Sequence, residues 1–183
     1  MDEAILAKVH RAFSHAGVEY ALVGRTAARL WGAPFSDRLE EVEVLARLPP
    51  GDADDLVAAA RVQGLDADPG LVSLAVESGE HLTLFPGGEA FVDVKPARGA
   101  SDLAALRARV DMALDEAEVA VATVEETIAR LLDDGDEAAV EAARFLASRR
   151  RAELDLGYLG QRCEELRVAH LLREVLEAEA PPA

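Results

Sequence analysis

Two glutamates at strand spacing are the residues best suited to chemistry. Glu41 and Glu43 alternate with valines in the segment EVEVLA. Successive side chains of a strand point to opposite faces, so both carboxylates share one face, about 7 Å apart. Carboxylate oxygens at this spacing can converge on one divalent cation, or on a pair of metal ions. Alternation alone also fits the solvated face of a strand in an acidic protein, and the sequence pattern leaves both interpretations open.

The elements around the glutamates give them a defined setting. The apolar run at residues 20–23 predicts a short strand, which ends at Gly24. Residues 26–31 have a helical pattern that ends at Gly32, and a loop then leads to the strand at residues 41–45. The sequence therefore predicts a strand, a glycine turn, a short helix and a second strand that carries both carboxylates.

The remaining segments predict more short strands, followed by helices. A second alternating segment, FVDVK, places Asp93 and Lys95 on one face of a strand, with the solvated face of an edge strand as the alternative. Strands are predicted at residues 18–23, 41–45, 71–76, 81–85, 90–94 and 118–122. Helices are predicted at residues 2–16, 26–31, 52–63, 101–113, 123–134 and 136–151, and two more from residue 155 onwards. Thr123 and Glu126 have the spacing of a capping box.

This arrangement resembles the minimal nucleotidyltransferases of the polymerase-beta-like superfamily, and most closely their abortive-infection and toxin–antitoxin branch. Members have a Gly-Gly or Gly-Ser turn, a helix, a Gly-x-Pro loop and an Asp-x-Asp pair. Gly24, the loop at residues 32–34 and the Glu41/Glu43 pair occupy those places in this chain. The resemblance implies an α+β fold, in which a small mixed sheet with flanking helices precedes a helical C-terminal segment. It divides the chain into a nucleotidyltransferase-like domain at residues 1–122 and helices at residues 123–183.

The resemblance also implies a reaction and a set of site residues. Family members transfer a nucleotidyl group from a nucleoside triphosphate with Mg²⁺, and they place a third carboxylate on a later strand, a place that Asp93 occupies in this chain. The implied metal ligands and catalytic residues are Glu41, Glu43 and Asp93. The implied nucleotide-binding residues are Gly24, Arg25, Thr26 and Lys95.

Several differences from the family pattern support a second interpretation. Arg25 stands where the family has glycine or serine, and both acids of the pair are glutamates. Residues 133–137, DDGDE, replace a basic family stretch that meets phosphate. The alternative is a catalytically degenerate nucleotidyltransferase fold that acts as a binding or regulatory module, including a role in a toxin–antitoxin pair. Arg25 can either bind phosphate or neutralise one of the acids, and we expect the second.

The composition and charge of the chain limit the kinds of partner that it can bind. The chain has 183 residues and a formal net charge of −16, which disfavours nucleic acid but allows a nucleotide chelated to a cation. The single cysteine, Cys163, excludes an intramolecular disulfide and fits a reducing, cytoplasmic location. We expect no signal peptide, and no apolar run reaches the roughly 20 residues that span a bilayer. A protein partner and self-association both stay open.

Overall fold

A computed structural model of the chain describes residues 3–35, 41–49, 51–88, 90–115 and 117–177. These residues form two compact units. The sheet unit contains the described part of residues 3–22 and 41–121, and the helical unit contains residues 23–35 and 122–177. The structure confirms the predicted α+β class, with a mixed sheet and flanking helices.

Helices and strands alternate along most of the described chain. In chain order they are α1 (Glu3–His15), β1 (Tyr20–Leu22), α2 (Gly24–Leu30), β2 (Glu41–Ala46), α3 (Ala53–Val62), α4 (Pro69–Ser78), β3 (Leu82–Leu84), β4 (Phe91–Pro96), α5 (Gly99–Arg107), β5 (Val110–Ala113), β6 (Glu118–Val121), α6 (Val124–Asp134), α7 (Glu137–Arg149), α8 (Leu156–Glu165) and α9 (Ala169–Glu177). Among the described helices, none is long and apolar enough to cross a membrane.

The sheet unit contains a six-stranded sheet in the order β3-β4-β2-β1-β6-β5. The β2–β4 and β1–β6 pairs are parallel, whereas the β1–β2, β3–β4 and β5–β6 pairs are antiparallel. The alternation of acids and valines suits a strand with one buried face, because Val42 and Val44 are buried while Glu41 and Glu43 are half-buried. On β4, Val92 and Val94 are buried in the same way. One face of β2 and β4 therefore lies in the core, and the other carries their acidic residues.

The helical unit is built on amphipathic helices with defined ends. Thr123 caps α6 by accepting a hydrogen bond from the Glu126 amide at 3.4 Å, as the capping-box pattern predicts. Gly135 ends the same helix with a φ of 70°, a left-handed conformation that favours glycine. Small alanines on α7 allow close packing against α6, and Ile128 and Leu146 are fully buried between them.

The predicted strand at residues 71–76 is wrong, because these residues belong to α4. The run LVSLAV is apolar on both strand and helix periodicities, so its pattern cannot distinguish the two. The local signal lies just before the run. Asp68 accepts hydrogen bonds from the amides of Gly70 and Leu71 at 2.8 and 3.1 Å, and Pro69 occupies the first helical turn. This N-terminal cap selects the helix.

The helix predicted at residues 101–113 is also only partly correct. Helix α5 ends at Arg107, and β5 begins at Val110 as an edge strand paired with β6. The residue at the N-cap position of α5 is Arg98. The carboxylate of Asp102 accepts a hydrogen bond from the Arg98 amide at 3.1 Å at this helix start. The edge strand is short and largely exposed, which gives it little apolar periodicity to read.

Candidate functional site

The strand register brings two of the predicted carboxylates side by side. Glu43 on β2 is the direct register partner of Asp93 on the adjacent parallel strand β4. Register partners on neighbouring strands point to the same face, and Glu41 shares that face because it is two residues from Glu43. The prediction that the three acids share one face of the sheet is therefore confirmed. We call these three residues the carboxylate face, and their role in binding metal stays a prediction.

A histidine completes this surface. Nδ1 of His81 lies 2.8 Å from Oδ2 of Asp93, and the side chains are 57% and 21% exposed respectively. Thr83, two residues further on, is the register partner of Asp93 on the antiparallel strand β3. The sequence does not predict a role for His81, since this residue has no metal-ligand spacing in the chain. The signal that finds it is the β3–β4 pairing, which only the fold provides.

Lys95 has an acidic neighbour of its own. Its Nζ lies 3.5 Å from Oδ1 of Asp102, which is mostly buried at the start of α5. The same carboxylate accepts the hydrogen bond from the Arg98 amide, so it is fixed in place. Lys95 therefore stands beside an anion of the protein itself, two positions along the strand from Asp93.

The donor set of the carboxylate face suits a hard cation. Three carboxylates offer the oxygen ligands that Mg²⁺ prefers, and water molecules commonly fill the rest of its octahedral shell. Within the described residues, however, no group of three His, Cys, Asp or Glu side chains is already gathered around one point. Asp93 makes its hydrogen bond to His81 instead. Side-chain rotation at Glu41 and Glu43, both only half-buried, would be needed for the carboxylates to converge.

The predicted nucleotide-binding turn lies in the helical unit. Gly24 begins α2 with a φ of 54°, the left-handed region that favours glycine. The side chain of Thr26 is fully buried, at 0% exposure, so its hydroxyl is not on the surface. The guanidinium of Arg25 forms an ion pair with Asp136 and lies 5.8 Å from the ring of Phe35. Asp136 is a partner that the sequence pattern does not predict.

Asp136 is itself held at a helix start. It is the N-cap of α7, and its Oδ1 accepts a hydrogen bond from the Ala139 amide at 2.9 Å. This hydrogen bond and the nearby Arg25 lower the pKa of the Asp136 carboxyl, because both favour its charged form. The residue therefore stays anionic and keeps Arg25 paired at neutral pH. The acidic stretch at residues 133–137 thus has a structural role within the helical unit.

Comparison with solved structures identifies the fold. The antibiotic-resistance factor ANT(2'')-Ia in solution aligns with a TM-score of 0.55 and 15% identity, covering 95% of each chain. Its crystal structure with adenylyl-2''-tobramycin aligns at 0.56 and 13%, covering 93% of this chain and 99% of that one. An antigenic nucleotidyltransferase-like protein from Paracoccidioides brasiliensis aligns at 0.57 and 16%, covering 98% and 94%.

These alignments extend over both units of the chain. No family model matches the sequence, and no curated protein does either. The chain therefore shares its fold with these solved structures, which confirms the fold that the resemblance implied. At identities of 13–16% the likeness defines the fold, and the chemistry depends on this chain's own residues.

Proposed function

We propose that this chain is a Mg²⁺-dependent nucleotidyltransferase, which transfers a nucleotidyl group from a nucleoside triphosphate to an acceptor. The observation that carries the proposal is the register of Glu43 beside Asp93, with Glu41 on the same face. Two adjacent parallel strands thereby present three carboxylates to one side of the sheet, on a fold that the solved nucleotidyltransferase structures share.

Each residue of this surface has a task in the proposed site. Glu41, Glu43 and Asp93 would hold Mg²⁺, which supplies neutralisation of phosphate charge when it is bound. Three negative charges on one face repel a free triphosphate, so nucleotide binding should depend on the cation. His81 is hydrogen-bonded to one carboxylate oxygen of Asp93 and would compete with Mg²⁺ for it. Lys95, held beside Asp102, adds a positive charge next to the three acids.

A second candidate is a degenerate fold that binds a partner or regulates it without transferring nucleotides. Two contacts favour it, because His81 engages Asp93 and Asp136 engages Arg25, so groups expected to meet ligand already have protein partners. Glutamate also extends one methylene further than aspartate, and a misplacement of about 1 Å can cost roughly a hundredfold in rate. The same scaffold then supports binding rather than catalysis.

Transfer of label from an α-labelled nucleoside triphosphate in the presence of Mg²⁺ tests the first candidate. Adenosine triphosphate is the first choice, because the solved ANT(2'')-Ia complex contains adenylyl-2''-tobramycin. We expect Asp93→Asn and Glu43→Gln each to lower the rate of label transfer at least about a hundredfold. Glu118→Gln, an exposed acid at the start of β6, is the matched control and should keep full activity.

Stabilisation by Mg²⁺ and nucleotide separates the two candidates. If the site is active, Mg²⁺ and nucleotide should raise the melting temperature, since a ligand at 100 times its Kd adds about 2.7 kcal/mol to stability. His81→Ala frees the Asp93 carboxylate and should increase the effect of Mg²⁺, whereas His15→Ala on the exposed end of α1 should not. The degenerate fold would be established by two results together. The unmodified chain would show neither label transfer nor stabilisation, and the triple variant Arg25→Gly/Glu41→Asp/Glu43→Asp would gain nucleotide binding.

A further inference from the structure

A histidine lies on the same face of the sheet as the three predicted metal ligands. Thr83 on β3 is the register partner of Asp93, and His81 precedes Thr83 by two residues, so both point to the side of Asp93. Nδ1 of His81 is accordingly 2.8 Å from Oδ2 of Asp93. Glu43 is the register partner of Asp93 on β2, the strand on the other side of β4. Asp93 therefore lies between a nitrogen donor and a second carboxylate.

The spacing of Nδ1 and Oδ2 suits a shared cation. In an octahedral shell, metal–ligand distances of about 2.1 Å separate adjacent ligand atoms by about 3.0 Å. The 2.8 Å between the two atoms is close to this value, so a cation can replace the proton of the hydrogen bond with little movement of either side chain. The side chains of His81 and Asp93 are 57% and 21% exposed, which makes them accessible to an ion from solvent.

The imidazole of His81 discriminates between classes of cation. Mg²⁺ prefers oxygen ligands, so towards Mg²⁺ the histidine is only a competitor for Oδ2 of Asp93. Divalent transition metals such as Co²⁺ and Zn²⁺ also take imidazole nitrogen, and for these ions the same side chain becomes a ligand. The two ring nitrogens point in different directions, and Nδ1 is the one that faces Asp93. His81 should therefore act in opposite directions on the two classes of cation.

We propose that the carboxylate face binds a divalent first-row transition metal in preference to Mg²⁺, with Nδ1 of His81 as a ligand beside Asp93 and Glu43. This inference rests on the proposed function, because it takes the carboxylate face as the metal site. His81 and Asp93 are already adjacent, and Glu43 supplies the third ligand by side-chain rotation from a strand about 4.8 Å away. Histidine nitrogen and carboxylate oxygen are both ordinary ligands of Zn²⁺.

Calorimetric titrations of the full chain with Co²⁺ and with Mg²⁺ test the proposal. His81→Ala removes a ligand of Co²⁺ and should weaken its binding at least about tenfold, the smallest loss typical of removing even a supporting partner. The same variant removes a competitor of Mg²⁺ and should strengthen Mg²⁺ binding. Asp93→Asn should weaken the binding of both ions. His15→Ala, at the exposed end of α1, is the matched control and should change neither affinity.

Two calorimetric outcomes would overturn the proposal. Equal weakening of Co²⁺ and Mg²⁺ binding by His81→Ala would mean that the histidine only supports Asp93. Co²⁺ binding that His81→Ala leaves unchanged would place the ion elsewhere on the chain.

Nitrogen magnetic resonance of the imidazole, with diamagnetic Zn²⁺ as the probe, gives a readout that is independent of activity. We expect the Nδ1 resonance of His81 to shift when Zn²⁺ is added to the unmodified chain and to stay in place in Asp93→Asn. Ligation through Nε2, or saturation with Zn²⁺ that moves neither ring nitrogen, would contradict the assignment of Nδ1 as the ligand.

Label transfer separates a failure of this inference from a failure of the proposed function. A chain that binds Co²⁺ through His81 but transfers no label with any cation keeps the metal site and contradicts the proposed function. A chain that transfers label with Mg²⁺, and whose Co²⁺ affinity does not depend on His81, keeps the proposed function and contradicts this inference.

Discussion

At the scale of single residues, the environment of Tyr20 links stability to alkaline pH. The ring packs against Phe13 at a centroid distance of 5.3 Å, and the hydroxyl has its two hydrogen-bonding neighbours inside the sheet unit. Burial disfavours the charged phenolate, which raises the pKa of Tyr20 from 10.0 to about 12. The folded state therefore holds the phenolic proton more tightly than the unfolded chain does.

The sign of this linkage gives a prediction. Below pH 10 the tyrosine is protonated in both states and its contribution is fully present, whereas between pH 10 and about 12 only the folded state keeps the proton. The free energy of unfolding should fall across that window by roughly 2–3 kcal/mol. Tyr20→Phe should be less stable at pH 7, because the Ala120 amide loses its acceptor, and should lose less on going from pH 9 to pH 12. Urea denaturation at each pH measures both effects, and an unchanged alkaline slope in Tyr20→Phe would contradict the assignment.

Residue identities alone could find only part of the candidate site. The alternation of EVEVLA and FVDVK places Glu43 and Asp93 on strands, and the register then brings them together. His81 could not be found in this way, since its contact with Asp93 depends on how β3 pairs with β4 across a turn. The same holds for Asp136, which lies 111 residues from Arg25 in the sequence. Local pattern identifies residues that alternate on a strand, but it carries no information about pairing between distant segments.

At the scale of elements, a buried ion pair connects two helices of the helical unit. Glu126 on α6 is fully buried, at 0% exposure, and accepts from Nη2 of Arg162 on α8 at 3.1 Å, with a second bond from Nε. Tyr158 donates its hydroxyl to the same carboxylate at 2.7 Å. Burial and this hydrogen bond raise the pKa of Tyr158, which keeps the donor protonated. Glu126 is thus surrounded by donors that satisfy its buried charge.

Breaking this pair should be costly. Arg162→Met leaves the buried Glu126 carboxylate with Arg130, whose Nε lies 3.9 Å away, as its remaining cation, and should reduce the free energy of unfolding by about 3–5 kcal/mol in urea denaturation. Arg173→Met, an exposed arginine on α9, is the control and should change stability by less than about 0.5 kcal/mol. The double variant Glu126→Gln/Arg162→Met removes both charges and should recover part of the loss. A single variant as stable as the control would show that the pair contributes little.

The elements themselves were predictable where caps and periodicity agree. Helix α6 was predicted because Thr123 and Gly135 mark its ends, and β2 was predicted because acids and valines alternate. Helix α4 was missed because its apolar run has no single period, and its boundary is set by the side chain of Asp68 instead. Edge strand β5 was missed because exposed strands bury few side chains and so need no alternation.

At the scale of the whole molecule, neither of the two units is one continuous segment of the chain. The sheet unit ends at residue 121, and the C-terminal helices of the helical unit follow it in the chain. Residues 23–35, however, belong with those helices, where Trp31 donates its indole N–H to the Ala122 carbonyl at 2.9 Å. The sequence pattern identifies the apolar residues of this segment, but it carries no information about which distant residues they contact.

The net charge of −16 predicts a stability that depends on salt. Like charges repel in the folded state, and added salt shortens the Debye length from about 30 Å at 0.01 M to about 10 Å at 0.1 M. The melting temperature should therefore rise with NaCl, by about 2–4 °C for each kcal/mol of repulsion that is screened. At a pH near the isoelectric point of about 4.6 that the sequence gives, the same series should be flat, because little net charge is left to screen. MgCl₂ at matched ionic strength separates screening from binding, since only occupation of the carboxylate face gives a further rise that Asp93→Asn abolishes. A melting temperature that falls with NaCl at pH 7 would mean that attractive ion pairs, such as Arg25 with Asp136, outweigh the general repulsion.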